Sequence, residues 1–381
     1  MTLTFVTNFV HHHQIPLADE FYKLLGENYH YVATKPLPDS FVKGGYDASI
    51  ERPYIIRSYD SAAEMKVARE LIDESDVVIH GAAPAEWSLE RQNGNKVTFF
   101  YSERWLKRIN IHTLSPRRLL GIYKNYYRFR NNRSYMLCAS AYTAKDVHVF
   151  GCFPNKCFKW GYFTAIDYNA HNTACRLKMG DKVRIMWCAR FVKLKHPEMP
   201  VMLAKRLKDK GYNFVIDMFG AGEEYSNIQV LIDKLKVADC VHLCGTRPNS
   251  EILDEMKNHA IFLFTSNRIE GWGAVINEAM SSGCVPVMSD VIGSGPYLID
   301  EGQNGFRYQY GKIDSLESKV CSMLDNPEKI ALLSQNAQNT LRNVWSPQNA
   351  AKSFMELASH AMNNCMDSYS VLSGPASRDN S

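Results

Sequence analysis

The chain has 381 residues, with 44 Lys+Arg against 40 Asp+Glu for a net charge of +4, and is 45% apolar and 22% charged. At roughly 150 residues per domain this length suits two domains, the composition excludes a disordered or fibrous chain, and no run of about 18 apolar residues is present to span a bilayer. Ten cysteines occur without a CxxC pair, several in apolar runs where cysteine packs as a small hydrophobe, so a reducing cytoplasm is expected rather than a disulfide framework or a metal site.

Met1–Val6 lacks a basic segment and a long apolar stretch, so it reads as a first strand and not as a signal peptide. Further strand-like runs follow at Tyr29–Thr34, Val77–His80, Lys96–Tyr101 and Tyr135–Ala139, after Leu3–Asn8. Helix-like stretches such as Leu17–Leu25 and Ser61–Asp73 lie between them, the alternation of a mostly parallel sheet. The loop after the first strand carries His11, His12 and His13, His80 closes the run at Val77, and Glu103 follows the run at Lys96. Residues 103–133 hold nine Lys and Arg against Glu103 alone, with Trp105, Tyr123, Tyr126, Tyr127 and Phe129 interleaved. That segment suits an anionic partner such as a membrane surface. A solvated helix with inward-packed aromatics would give the same pattern. No nucleic-acid partner is expected.

The polar stretch 167–182 has no sustained period and reads as a linker after a first domain, 1–166. A second series of strands and helices then runs from Val183–Cys188 through Pro197–Lys210, Asn213–Phe219, Val241–Leu243, Ala260–Phe264 and Val285–Ser289, giving a second domain over 183–346. Pro347–Met362 reads as a last helix with Pro347 in its first turn, and the polar residues 363–381 as a disordered tail. The expected architecture is α/β, two doubly wound domains with a ligand cleft at the carboxyl ends of their strands.

Chemistry concentrates in the second series. Glu270-Gly271-Trp272-Gly273 follows an apolar strand and leads into a helix that carries Glu278. A carboxylate in the first turns of a helix leans back toward the strand end, where Glu278 could accept from a vicinal diol. Glycines at a helix start leave backbone N–H groups for an anion, with Glu270 near whatever that anion carries. Arg190 and Lys195 follow the strand Val183–Cys188, where two cations can hold a diphosphate and neutralise it as it leaves. Gly220-x-Gly222 follows a strand too, but the GxGxxG dinucleotide fingerprint is absent. Arg247 stands just beyond a turn at Gly245.

This order of Arg190, Lys195, Gly220-x-Gly222, Gly245, Glu270-Gly-Trp-Gly, Glu278-Ala-Met and Gly283-x-x-Pro286 resembles the donor half of family-4 retaining glycosyltransferases of GT-B architecture, over about 183–345. The resemblance implies that Arg190 and Lys195 bind a donor diphosphate and Glu278 the ribose. It places Glu270 on the donor sugar, the backbone of Gly271, Trp272 and Gly273 at sugar and phosphate, Gly220 and Gly222 along the nucleotide, and Arg247 at the base. It also implies a last helix that crosses back to the first domain, no metal, and no cofactor beyond a nucleotide diphosphate sugar as substrate. The acceptor would be a glycan or lipid-linked sugar at the inner membrane surface, in polysaccharide synthesis. The first domain departs from the family: no glycine occupies the first loop, and Tyr101-Ser102-Glu103 stands where a histidine is usual. His12, His13, His80 and Glu103 are therefore the candidates for contact with acceptor or phosphate. A nucleotide-sugar epimerase or hydrolase of the same architecture, and a catalytically silent membrane scaffold, are the competing readings.

Overall fold

A computed structural model describes residues 1–39, 49–108, 113–166, 168 and 182–379. The chain divides into two compact units, Met1–Ala165 together with Trp345–Ser381, and Ile166–Val344. The expected linker lies almost wholly outside the described residues.

The first unit holds seven strands: β1 (Leu3–Thr7), β2 (Tyr29–Ala33), β3 (Ile55–Arg57), β4 (Val77–His80), β5 (Thr98–Ser102), β6 (Ser134–Cys138) and β7 (Cys157–Lys159). They form one sheet in the order β3-β2-β1-β4-β5-β6-β7. All pairs are parallel, with Leu3 opposite both Tyr29 and Val77. Every residue of β1, β4 and β6 is buried, as expected of central parallel strands covered on both faces. The helix Pro347–Met362 returns to this unit. Its Phe354 packs against Phe21, Phe99 and Trp160 at ring-centroid distances of 5.4, 5.0 and 5.7 Å. The Ser346 hydroxyl caps its start by accepting the Asn349 N–H, and Arg133 donates to the end carbonyls of Ala361 and Met362 at 2.7 and 2.6 Å.

The tail expected to be disordered is ordered through Asp379. Lys159 N–H donates to Ser377 O (2.8 Å), Ala376 N–H to Lys159 O (2.7 Å) and Asp379 N–H to Cys157 O (2.9 Å). The segment therefore pairs antiparallel with β7, and the buried Tyr369 donates its hydroxyl to Ala376 O at 3.0 Å. Backbone groups on the open edge of β7 make these bonds, which is why a polar side-chain composition gave the wrong expectation.

The second unit holds β8 (Val183–Cys188), β9 (Phe214–Phe219), β10 (Val241–Gly245), β11 (Ile261–Phe264), β12 (Val285–Ser289) and β13 (Phe306–Tyr308), in the order β10-β9-β8-β11-β12-β13. These pairs are parallel as well. Ile185, Trp187, Ile216, Leu263 and Val287 of its strands share a core with Leu203 and Leu207 of the helix Glu198–Asp209. In both sheets the strand order reverses beside the first strand, between β1 and β4 and between β8 and β11. Open α/β sheets bind ligands at the carboxyl ends beside such a reversal.

Candidate functional site

In the second unit the loops after β8, β9 and β10 are tied together by backbone bonds. Ala189 N–H donates to Phe219 O (3.1 Å), Phe191 N–H to Ala221 O (2.9 Å) and Gly220 N–H to Gly245 O (2.8 Å). Gly220 has φ +129°, and a Cβ there would lie 2.0 Å from Ala189 O. Glycine at this position lets the two turns touch, and Gly222 lies against Phe191 in the same way.

Lys195 lies on the short turn Lys193–Lys195 after β8, and the end of β11 fixes it. Thr265 accepts the Trp187 indole N–H at 2.9 Å and donates to Lys195 O at 2.6 Å, while Asn267 N–H donates to Leu194 O at 2.9 Å. From this turn the Lys195 ammonium ion-pairs with the Glu270 carboxylate and sits 5.5 Å over the Phe264 ring. Arg190 is exposed in the same loop.

Glu278 is the fourth residue of the helix Val275–Ser281 and is buried. Burial pushes its carboxyl up to about 7, and a hydrogen bond from Asn249 pulls the other way. Cys188 connects the two halves of the site. Burial raises its thiol to about 12, with the Glu278 carboxylate adding to that rise and the Lys195 ammonium opposing it, so both groups act on one sulfur. Glu270, Lys195 and Glu278 thus gather at the β8/β11 reversal. Gly273 turns the chain between them with φ +77°, where a Cβ would meet the Phe264 ring at 2.3 Å. The Trp272 ring is wholly buried and donates to Asn277 Oδ1 at 2.8 Å, and its carbonyl accepts from Ser294. The Gly271 carbonyl accepts the Gly293 N–H at 3.1 Å. Arg247 pairs with Glu255 at 2.8 Å and lies 5.3 Å over the Phe219 ring.

In the first unit a cavity of about 420 Å³ opens at the carboxyl ends of β4 and β5, with His80, Glu103, Gln14, Ser102, Trp105 and Tyr162 on its wall. His80 Nε2 donates to Ala83 O at 3.0 Å, and burial pushes the ring down to about 4, so it is neutral at pH 7. Glu103 pairs with Lys107 and accepts the Tyr162 hydroxyl at 3.2 Å. His12 and His13 are not among the cavity's lining residues; their rings lie 3.9 Å apart in the loop after β1. Burial, then the neighbouring His12, holds His11 down at about 4 and His13 lower still. Both are uncharged hydrogen-bonding groups.

The basic stretch 103–133 is only partly a surface feature. Arg104 pairs with Asp146, Arg118 donates to Trp105 O, Arg130 to Tyr127 O, and Lys107 meets Glu103. Trp105 and Tyr126 pack on each other at 4.9 Å and Phe129 is buried. Arg108, Arg117, Lys124 and Arg128 are exposed. On the helix Pro116–Asn125, Leu119, Leu120 and Tyr123 are 40, 52 and 53% exposed.

Thr265 and Asn249 carried no sequence signal, because each acts on a site residue distant in sequence.

Residues 176–340 match the family model described as Glycosyl transferases group 1. Among characterised relatives, the chain is 27% identical over 122 residues to poly(glycerol-phosphate) alpha-glucosyltransferase of Bacillus subtilis, covering 32% of this chain and 18% of that protein. It is 27% identical over 156 residues to the amylovoran biosynthesis glycosyltransferase AmsK of Erwinia amylovora, covering 40% and 38%. The chain therefore spans less than half the length of either relative. The structure of Anabaena Alr3699/HepE in complex with UDP superposes with a TM-score of 0.69 at 14% identity, over 94% of this chain and 100% of that one. The shared fold is GT-B.

Proposed function

We propose that the chain, whose residues 176–340 match the model of the glycosyl transferases group 1 family, moves a sugar from a nucleotide diphosphate sugar to a glycan or lipid-linked acceptor in polysaccharide synthesis, with retention at the anomeric carbon. The observation that carries this reading is the Lys195–Glu270 ion pair at the β8/β11 reversal, with the buried Glu278 in the first turn of the helix Val275–Ser281 that follows β11. The UDP of the Anabaena complex and the polysaccharide role in the name of the Erwinia relative agree with it.

In this reading Glu278 accepts from the ribose diol and Arg190 and Lys195 hold the diphosphate. As the glycosyl–phosphate bond breaks, negative charge builds on the diphosphate, and a well-placed cation then contributes a few kcal/mol. Lys195 is held in place for this by Thr265 behind it and Glu270 beside it. Glu270 exchanges part of its contact with Lys195 for the hydroxyls of the donor sugar. The leaving phosphate takes the acceptor proton, so no protein base and no metal ion is required. The reaction takes place in the reducing cytoplasm, with the exposed apolar and basic face of the helix Pro116–Asn125 resting on the inner membrane surface.

The test is a panel of nucleotide sugars screened by thermal stabilisation, followed by turnover with the stabilising donor. Lys195→Ala should lower kcat by about 10²-fold, and Glu278→Ala should chiefly weaken donor binding, by about 1.5–3 kcal/mol. Wild-type kinetics in both variants would remove the site assignment. Release of free sugar at the full rate without any acceptor would favour the hydrolase reading.

A further inference from the structure

We propose that His196 is a positioning residue, tethered by its ring so that the turn before it presents the Lys195 ammonium to the donor diphosphate. The proposal rests on the glycosyltransferase reading and deepens it by naming what holds the diphosphate lysine.

His196 follows Lys195 directly and closes the turn Lys193–Lys195 with φ +50° and ψ +57°, in the left-handed region. A side chain there crowds its own backbone, and such residues persist where their surroundings over-determine them. Among the described non-glycine residues with positive φ, His196 alone adjoins a residue of the site. Two bonds to the ring hold it. Glu198 Oε1, at the start of the helix Glu198–Asp209, lies 2.7 Å from Nδ1, and the Tyr310 hydroxyl lies 2.9 Å from Nε2. An ionised carboxylate only accepts, so the ring donates from Nδ1 to Glu198 and Nε2 accepts the Tyr310 O–H. Tyr310 stands just beyond β13. Its own N–H donates to Asp290 Oδ1 past the end of β12 at 3.0 Å, and its ring meets the imidazole edge-on at 5.4 Å.

The turn is thus pinned from two directions. Toward β11, the Thr265 hydroxyl shares its proton between Lys195 O at 2.6 Å and His196 O at 3.2 Å. The Asn267 N–H donates to Leu194 O at 2.9 Å on the same side. Toward β12 and β13, the link runs through the His196 ring to Tyr310. His196, Glu198 and Tyr310 are all partly exposed. Their contact therefore buries little apolar surface, and its effect falls on the geometry of the turn more than on the core. Without a donor, the Lys195 ammonium also has Glu270 to hold it. When Glu270 turns to the donor sugar that support shrinks, and the place of the ammonium depends on its backbone anchor. A cation helps a leaving diphosphate most when it is already in place, and the ring tether serves that end.

Calorimetry on the full chain tests this, with UDP, GDP, ADP, CDP and dTDP as probes and the tightest of them carried forward. Glycine takes the left-handed conformation without strain, so His196→Gly keeps the turn and removes the tether. Tyr310→Phe takes away one partly exposed hydroxyl, and it carries the same test if His196→Gly lowers Tm. Lys195→Ala should weaken the nucleoside diphosphate about ten-fold, and His196→Gly and Tyr310→Phe each about three-fold. Adding either change to Lys195→Ala should cost less than about 1.5-fold more, because the ring acts through the ammonium. A purely structural role would instead multiply with the loss from Lys195→Ala. Wild-type affinity in both His196→Gly and Tyr310→Phe, or losses that multiply, would overturn the proposal and leave Lys195 in the donor site. If Lys195→Ala binds as the wild type does, the diphosphate role of Lys195 falls and this proposal with it. A chain that binds none of the probes would remove both the proposal and the glycosyltransferase reading.

Discussion

Glu278 sits in the first turn of its helix with almost no exposure, and its burial makes a pH-dependent stability term measurable. Its carboxyl moves from an ordinary 4.5 to about 7 in the fold. Between those values the unfolded chain has released a proton that the folded chain retains. Stability therefore falls as pH rises through the window, by on the order of 3 kcal/mol in total, and levels off above it. Glu278→Gln keeps the shape and cannot ionise. Urea unfolding from about pH 4.5 to about pH 7.5 should show the wild type losing ground steadily against this variant. A constant difference between the two would mean that the carboxyl is not held protonated. The placement of Lys195, Glu270 and Glu278 around the ends of β8 and β11 was legible in the sequence because they follow apolar strands at fixed spacing. Thr265 and Asn249 were not, since a hydroxyl that holds a distant carbonyl and an amide that reaches a helix in another part of the chain leave no local pattern.

Among the elements, the long buried strands announced themselves and the edges did not. β1, β4 and β6 are apolar runs whose burial on both faces suppresses any alternation. β3 and β7 are three residues each, too short for a period to show. The tail that covers β7 was hidden for the related reason that its backbone does the pairing. It also makes a contribution that can be removed. Deleting residues 366–381 would break the backbone bonds from Ser377, Ala376 and Asp379 to β7 and expose the surface under Tyr369, whose ring lies 5.9 Å from that of Phe158. The loss should be on the order of 3–5 kcal/mol. An uncovered edge strand also invites pairing with a second chain. A lowered Tm together with concentration-dependent association on size exclusion is the expected result. An unchanged Tm would show that the strap holds nothing.

For the whole molecule, the sequence offered a nine-to-one charge imbalance over 103–133, and folding divides it. Arg104, Lys107, Arg118 and Arg130 turn to partners within the first unit, and Arg133 closes the end of the last helix. What is left for an outside partner is Arg108, Arg117, Lys124 and Arg128, beside the exposed Leu119, Leu120 and Tyr123. No helix among the described residues is long and apolar enough to cross a membrane, so any attachment by this face is superficial. Each cation near anionic lipid contributes about 1 kcal/mol, screened by salt, so four of them with partial insertion of two leucines would give reversible binding if this face meets a membrane. Sedimentation with phosphatidylglycerol-containing vesicles should carry the protein down at low salt and release it at high salt. Changing Arg117, Lys124 and Arg128 to Gln together should abolish most of that binding, whereas Arg118→Gln and Arg130→Gln should matter little, since both guanidinium groups already serve the protein. Equal loss from either set would mean that net charge alone drives adsorption. A protein that stays in the supernatant with anionic vesicles at low salt would show that the leucines and cations of this helix meet water, and the proposed membrane contact would be withdrawn.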